Sequence, residues 1–265
     1  MCLAAALALL TASCATVPDP RADPVGMTYS YVRSDIAGEE EQVHVRRAAA
    51  DTLVVCKMRE RCTRAALVTA TIDPVSGEAS RLVAARLLPD ARSEPYGELR
   101  FDPTVRRIEA NVTMDGTSVR DAVSVTDRPW HLYDYDLATL GAMTAAMTGR
   151  PRNFSLGLAL VWPGEDPPRF LQWLGRADAR FVRVERHDGR DAWRFDVSGP
   201  AFGTAGGGPM WIDRAARIPI DVQWSRPNHP GYKDFGLHLK DMARESNSKW
   251  QDRLRAHFAG CPRAG

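Results

Sequence analysis

Apolar and polar residues alternate along most of this chain with a period of two. Trp193, Phe195 and Val197 fall on one face of a predicted strand, with Arg194 and Asp196 on the other. Ile218, Ile220, Val222 and Trp224 repeat the pattern against Asp221 and Gln223. Such alternation predicts antiparallel sheet with one dry and one wet face. The same pattern runs back to the start of the chain. It predicts strands from Met27 to Arg33, Gln42 to Arg46, Asp51 to Met58 (more continuously apolar), Thr63 to Ile72 and Leu82 to Leu88. A short strand from Glu98 to Phe101 is followed by one from Arg107 to Met114 and a return through Val119, Val123 and Val125. Ile36-Ala37-Gly38, Asp73-Pro74-Val75-Ser76-Gly77 and Asp115-Gly116 read as turns, the last as the strongest hairpin signal. Asn153 to Trp162, Phe181 to Arg186, and Phe235, Leu237 and Leu239 extend the series after a break.

In that break the period changes. Residues 134–148 read as a helix, with Asp134 or Asp136 capping its start and Gly149 with Pro151 ending it. Leu137, Leu140 and Met147 lie at helical spacings there, as core or as the lining of an adaptable lipid pocket. Phe170 to Leu174 reads as one helical turn. Met242 to Phe258 reads as an amphipathic helix, with Trp250, Leu254 and Phe258 four apart among charged residues.

These elements make the fold mainly β (α+β): a curled antiparallel sheet or half-barrel of about eleven strands, lidded by a central and a C-terminal helix. At ~4.8 Å per strand, eleven strands laid flat would span ~50 Å. Two helices, each ~10–12 Å across, cover under half of that apolar face. The sheet must therefore close, fold over or curl, and a curled sheet with a partial lid leaves an apolar cavity. Its expected wall is Trp193, Phe195, Trp211, Ile218, Ile220, Val222 and Trp224, with Leu140 and Met147 from the helix. Plain core packing is the competing role for each.

Composition narrows the classes. The chain has 265 residues, 44% of them hydrophobic, which suffices for a large core. Its 35 basic and 33 acidic residues are interspersed, and Arg46-Arg47 and Arg106-Arg107 are only pairs, read as solvated strand faces. Nucleic acid is therefore not an expected partner, because phosphate binding needs a concentrated basic surface.

The first residues give a compartment. Leu3 to Leu10 is apolar but shorter than the ~20 residues of a spanning helix. It runs into Leu10-Thr11-Ala12-Ser13-Cys14, which resembles a bacterial lipobox. The resemblance implies acylation of Cys14 and anchoring of the chain in the membrane. Ala15, rather than Asp, after the cysteine implies the periplasmic face of the outer membrane. The competing reading is an ordinary signal peptide that leaves Cys14 as a spare thiol. The expected divisions are 1–13 signal peptide, 14–26 lipidated cysteine and Pro-rich tether, 27–243 β domain with helix 134–148 inserted, and 244–265 C-terminal helix and tail.

Cys56 and Cys62 flank Arg59-Glu60, a spacing that suits a disulfide across the base of a hairpin. Two free thiols are the alternative. Cys261, in a predicted tail, is free or displaces one partner.

Met210 to Trp224, MWIDRAARIPIDVQW, resembles an element of the Lol-type periplasmic lipoprotein carrier and receptor superfamily, through Trp211-Ile212-Asp213 and Pro219. The resemblance implies an incomplete β-barrel lidded by helices, binding acyl chains inside.

Reactive groups give little. His44, His131, His187, His229, His238 and His257 form no HxxxH or HxH pair, so no metal site is expected. Gly203 to Gly208 precedes a predicted strand and not a helix N-terminus, so it reads as a hairpin loop and not a phosphate cradle. His229 with Asp234 or Asp213, and His131 with Asp134, are possible base–orienter pairs, or simply turn residues. The expectation is a non-enzymatic lipoprotein without cofactor that binds lipid or lipoprotein acyl chains. The alternatives are an envelope assembly protein that binds another protein and, further off, an envelope glycan or ester hydrolase.

Overall fold

In the computed structural model the described residues are 24–34, 40–114, 116–161, 170–229 and 231–262. The lipobox with Cys14, the turn at 36–38 and the loop 163–168 lie outside them. Among the described residues fifteen strands form one sheet. In chain order they are β1 Met27–Ser34, β2 Glu40–Ala49, β3 Thr52–Met58, β4 Ala66–Ile72, β5 Ala79–Leu87, β6 Ser93–Asp102, β7 Arg107–Met114 and β8 Thr117–Ser124. There follow β9 Trp130–Leu132, β10 Phe154–Val161, β11 Leu171–His187, β12 Arg190–Ser198, β13 Gly208–Asp213, β14 Pro219–Trp224 and β15 Phe235–Arg244. The helices are α1 Ala138–Ala146 and α2 Asn247–Ala256.

The spatial order runs β8 through β1, then β15 down to β9. The chain thus lays out one meander, returns, and closes it by pairing β1 with β15. Pairing is antiparallel except between β9 and β10. The sheet curls, and its β8 end approaches β11. The Leu171 amide donates to the Asp121 carboxylate of β8 at 2.9 Å. Trp173 Nε1 donates to Thr126 Oγ1 at 2.9 Å. Trp130 of β9 meets Phe101 of β6 edge-on at 5.7 Å.

The sheet has more strands than the about eleven expected, β9 at Trp130–Leu132 among them, and three expected elements have other bounds. Residues 93–102 form a full strand because β6 pairs with β5 on one side and β7 on the other. The segment Phe170–Leu174, expected as a helical turn, is strand from Leu171 on: Leu171 and Trp173 sit opposite Val161 and Ala159 of β10. The predicted C-terminal helix starts late. Met242–Arg244 belong to β15, where Met242 pairs with Tyr29. The Ser246 side chain then caps α2 by accepting from the Lys249 amide.

The two faces of the sheet are used differently. Leu53, Val55 and Lys57 of β3 point to the concave side, while Cys56 and Met58 point to the convex side beneath α2. β3 is therefore buried on both faces, which explains its continuous apolar run. α2 packs Trp250 and Leu254 against Cys56, Met58, Ala65 and Leu87 on this convex side. It is not a second lid over the concave face. Arg46 and Arg47 are buried, not solvated. The Arg46 guanidinium donates to the Glu245 carbonyl and to Asn247 Oδ1, and lies 5.6 Å from the Trp250 ring.

The disulfide joins Cys62 to Cys261, with Cα atoms 5.5 Å apart, and not Cys56 to Cys62. Cys56 is a free buried thiol in the α2 core, and burial pushes its pKa up to about 12. Cys62, in the β3–β4 turn, faces the chain end that α2 delivers, where its amide donates to the His257 carbonyl.

Candidate binding site

The concave face is filled by the chain itself. A 3-10 turn over Tyr133–Tyr135 leads into α1, and both pack inside the curl. α1 reads ATLGAMTAA and buries residues around its whole circumference. A helix apolar on every side belongs in an interior. The void left between α1 and the sheet is about 10 Å³, lined by residues including Tyr29, Tyr31, Leu53, Gly141, Ala142 and Pro219. That is room for about one water molecule and for no acyl chain.

The expected cavity wall is therefore core in this conformation. Trp193, Phe195, Ile218, Ile220, Val222, Trp224 and Leu140 are buried in one cluster, and Met147 packs partly buried against it. Trp224 packs in tilted and edge-on contact with Tyr133, Phe202 and Phe235. Trp211 departs from the expected wall. It pairs with Arg194 and Asp221, whose side chains share the convex face. There it stacks on His187 at 4.0 Å and donates Nε1 to Glu185 Oε1. Parity puts Met210 and Ile212 inside instead.

A buried ionic cluster holds the entrance to α1. Arg33, at the concave end of β1, lies 3.1 Å from Asp136 Oδ1 and also binds Glu41. Lys57 of β3 lies 2.9 Å from Asp136 Oδ2 and donates to the Asp134 carbonyl. Asn228 Nδ2 donates to the Tyr133 carbonyl at 3.1 Å. The Arg33 guanidinium lies 4.9 Å from the Tyr232 ring. Burial opposes the charge on Arg33 and Lys57, but the surrounding carboxylates outweigh it and raise both pKa values. Burial raises Asp134 above the usual carboxylate range. For Asp136, burial is outweighed by Arg33 and Lys57, which hold it below that range.

The cluster explains why the predicted helix 134–148 is broken. Asp136 does not cap α1. Drawn to Arg33 and Lys57, it takes a left-handed conformation at φ 48°, and Leu137 follows at φ 56°. Two consecutive non-glycine residues in this region cost about 1–3 kcal/mol each. α1 then begins at Ala138, with Leu137 in the N-cap position and no side-chain cap.

Further bonds tie the segment to the sheet. Tyr135 Oη is 3.2 Å from the carbonyls of Leu53 and Val68. Tyr133 Oη donates to the Arg226 carbonyl at 2.6 Å. His131 Nδ1 is 2.9 Å from Thr139 Oγ1 of α1. Glu78 anchors the approach by binding Arg128 and the Trp130 amide. The neighbouring Gly77, at φ 69°, packs so closely that an added Cβ would lie 2.2 Å from the Thr139 carbonyl oxygen.

The proposed base–orienter pairs fare differently. His131 is fully buried beside Thr139, and desolvation lowers its pKa to about 3. So weak a base is poorly matched to proton abstraction at neutral pH. His229 meets the Tyr232 ring edge-on at 5.5 Å, near the Arg33 cluster. Residues 200–205 form 3-10 turns leading into β13, consistent with a connection between strands. On the sheet's polar face, β6 to β8 line an open trough of about 670 Å³. Arg100, Arg107 and Arg120 there balance Glu98, Glu109 and Asp121, so it favours neither sign of ligand. The ionic cluster had no local sequence signal, because its members come from five separate segments.

No protein-family model matches this chain, and no curated protein matches it. Among solved structures, a LolA superfamily protein from Nitrosomonas europaea is 12% identical and aligns over 84% of this chain and 87% of its own, with a TM-score of 0.23.

Proposed function

We propose that this protein binds an acyl chain, as free lipid or on a lipoprotein, by withdrawing α1 from the concave face of the sheet. The observation that carries this reading is the kind of filler found there. The centre of a broad apolar curl is occupied by a nine-residue helix of mostly small side chains, entered through two strained residues. A helix of that length is a cylinder ~13 Å long and ~10 Å across, so its withdrawal frees about 1,000 Å³. Ligand pockets commonly measure about 300–1,000 Å³. Arg33 and Lys57 act as the latch, and ligand and plug compete for one space.

The lipobox-like stretch ending at Cys14 supports a lipid-anchored protein at the periplasmic face of an outer membrane. The reading is of a binder and not an enzyme. A role in binding another protein would draw support from a contiguous apolar patch. Among the described residues the exposed large apolar side chains, Val25, Val75, Tyr96, Val105 and Val184, each sit on a different strand or turn.

The test is native mass spectrometry of the chain with palmitate and with diacyl phosphatidylglycerol, for the native protein and for Asp136→Asn. Weakening the latch by about 2 kcal/mol should tighten apparent binding roughly thirtyfold, because affinity scales with the population of the open state. If neither protein retains either lipid, the reading fails.

A further inference from the structure

On the convex face, away from the plug, the fold gathers a second set of reactive groups from distant segments. β11 ends on His187, and the turn to β12 carries Asp188, held in a left-handed conformation at φ 46°. Asp221 of β14 and His238 of β15 face each other in register. His187 Nε2 lies 2.8 Å from Asp221 Oδ2 and 3.5 Å from Asp188 Oδ2. The ligand-type atoms of His187, Asp188 and Asp221 all fall within 4.8 Å of one another. His238 Nδ1 lies 3.3 Å from Asp188 Oδ2.

We propose that His187 Nε2, Asp188 and Asp221 form a binding site for a divalent transition-metal ion, Zn²⁺ by chemistry. With bonds of about 2.0–2.1 Å, two ligands of a tetrahedral zinc stand about 3.3 Å apart. The two separations at His187 Nε2 bracket that value, so a cation enters by replacing the proton between His187 and Asp221 and drawing in Asp188 from its exposed turn. One imidazole and two carboxylates suit zinc, and three protein ligands leave a fourth position for water. The two carboxylates supply the negative charge. Arg190, the cation of the same turn, is engaged by Asp213 at 3.3 Å.

The surroundings hold these groups as outer partners of a metal site do. The His187 ring lies flat on Trp211, with planes 7° apart, which fixes its orientation. Gln223 Nε2 donates to Asp221 Oδ2 at 3.0 Å. His238 orients Asp188. The site is reachable from water, since the His187 side chain is 21% exposed and that of Asp188 is 48% exposed. On binding, the imidazole gives Nε2 to the metal and keeps its proton on Nδ1. Sequence spacing hides the site, because His187, Asp221 and His238 are brought together only by the sheet.

Isothermal titration calorimetry of the untagged full chain with Zn²⁺ should give one ion per chain. His187→Ala should abolish that binding. His238→Ala should weaken it about tenfold, the effect of losing an outer partner. His229→Ala should leave it unchanged. Asp221→Asn, of the same shape, gives a second reading of the ligand set should His187→Ala fold poorly, as judged by near-ultraviolet circular dichroism. X-ray absorption of the zinc-loaded protein should show nitrogen and oxygen neighbours and no sulfur. Absence of stoichiometric binding, full affinity in both His187→Ala and Asp221→Asn, or a sulfur neighbour would each overturn the site.

Discussion

His131 shows how much one buried side chain controls. It joins β9 to α1 through Thr139, and desolvation holds its pKa at about 3, far below the 6.5 of an exposed imidazole. The unfolded chain therefore binds a proton that the folded chain refuses between those two values. The stabilisation from the neutral ring is complete above pH 6.5. It is lost as pH falls toward 3, at about 1.4 kcal/mol per pH unit. His44, lowered to about 4 by burial and by Arg253, adds loss of the same sign. Urea unfolding of His131→Gln between pH 7.5 and 4.5 should show a shallower acid loss than the native protein. An unchanged slope would mean that His131 is not the group responsible. The cysteines make a related point about single positions. The five-residue gap between Cys56 and Cys62 suits a bond along the chain, but strand parity turns Cys56 under α2, and only the turn residue Cys62 can reach the chain end.

That bond acts at the scale of α2. The helix has ten residues, too few to persist alone in water, and it rests on the small core of Trp250, Leu254, Cys56 and Met58. The Cys62–Cys261 bridge closes a loop of 199 residues in the unfolded chain. In the loop-entropy model so long a loop is worth about 5 kcal/mol, and native bridges commonly deliver about 2–5. Cys261→Ser should lower unfolding stability in urea by that amount, with α2 amides losing exchange protection before the sheet does. Unchanged protection of the α2 amides while the strands lose theirs would contradict a staple at α2. At this scale the strands were legible, because period-two alternation is a local signal. The helices were legible only as apolar stretches with a helical period. The break at Asp136 answers to Arg33 and Lys57, which lie about 100 and 80 residues away. The start of α2 answers to Ser246, a capping residue visible in the sequence but outweighed there by the helical spacing of the residues that follow. Residues 171–174 carry no legible strand signal because the strand character of β11 there comes from β10 across the pair, not from its own alternation.

At the scale of the molecule, the sequence argument that a broad apolar sheet must bend rests on area alone, and the curl agrees with it: β8 and β11 meet through Asp121 and Trp173. What area could not reveal is what fills the bend. The shortage of lids is met by one helix placed inside the curl, and the other packs on the opposite face. A plug of this kind has a dynamic consequence. Its removal breaks the Arg33 and Lys57 contacts with Asp136 but relaxes two strained residues and rehydrates buried charges, so it should require less free energy than unfolding the sheet. Native-state hydrogen exchange should therefore place the amides of α1 in an opening unit below the global value, with β12, β13 and β14 at the top. Palmitate should push the two groups apart, because a ligand stabilises only the state that binds it. The α1 amides should exchange faster with the acyl chain present while the strand amides hold or gain protection. If α1 exchanges only with the whole sheet, with and without palmitate, the helix is a permanent part of the core and the concave face offers no room to a guest.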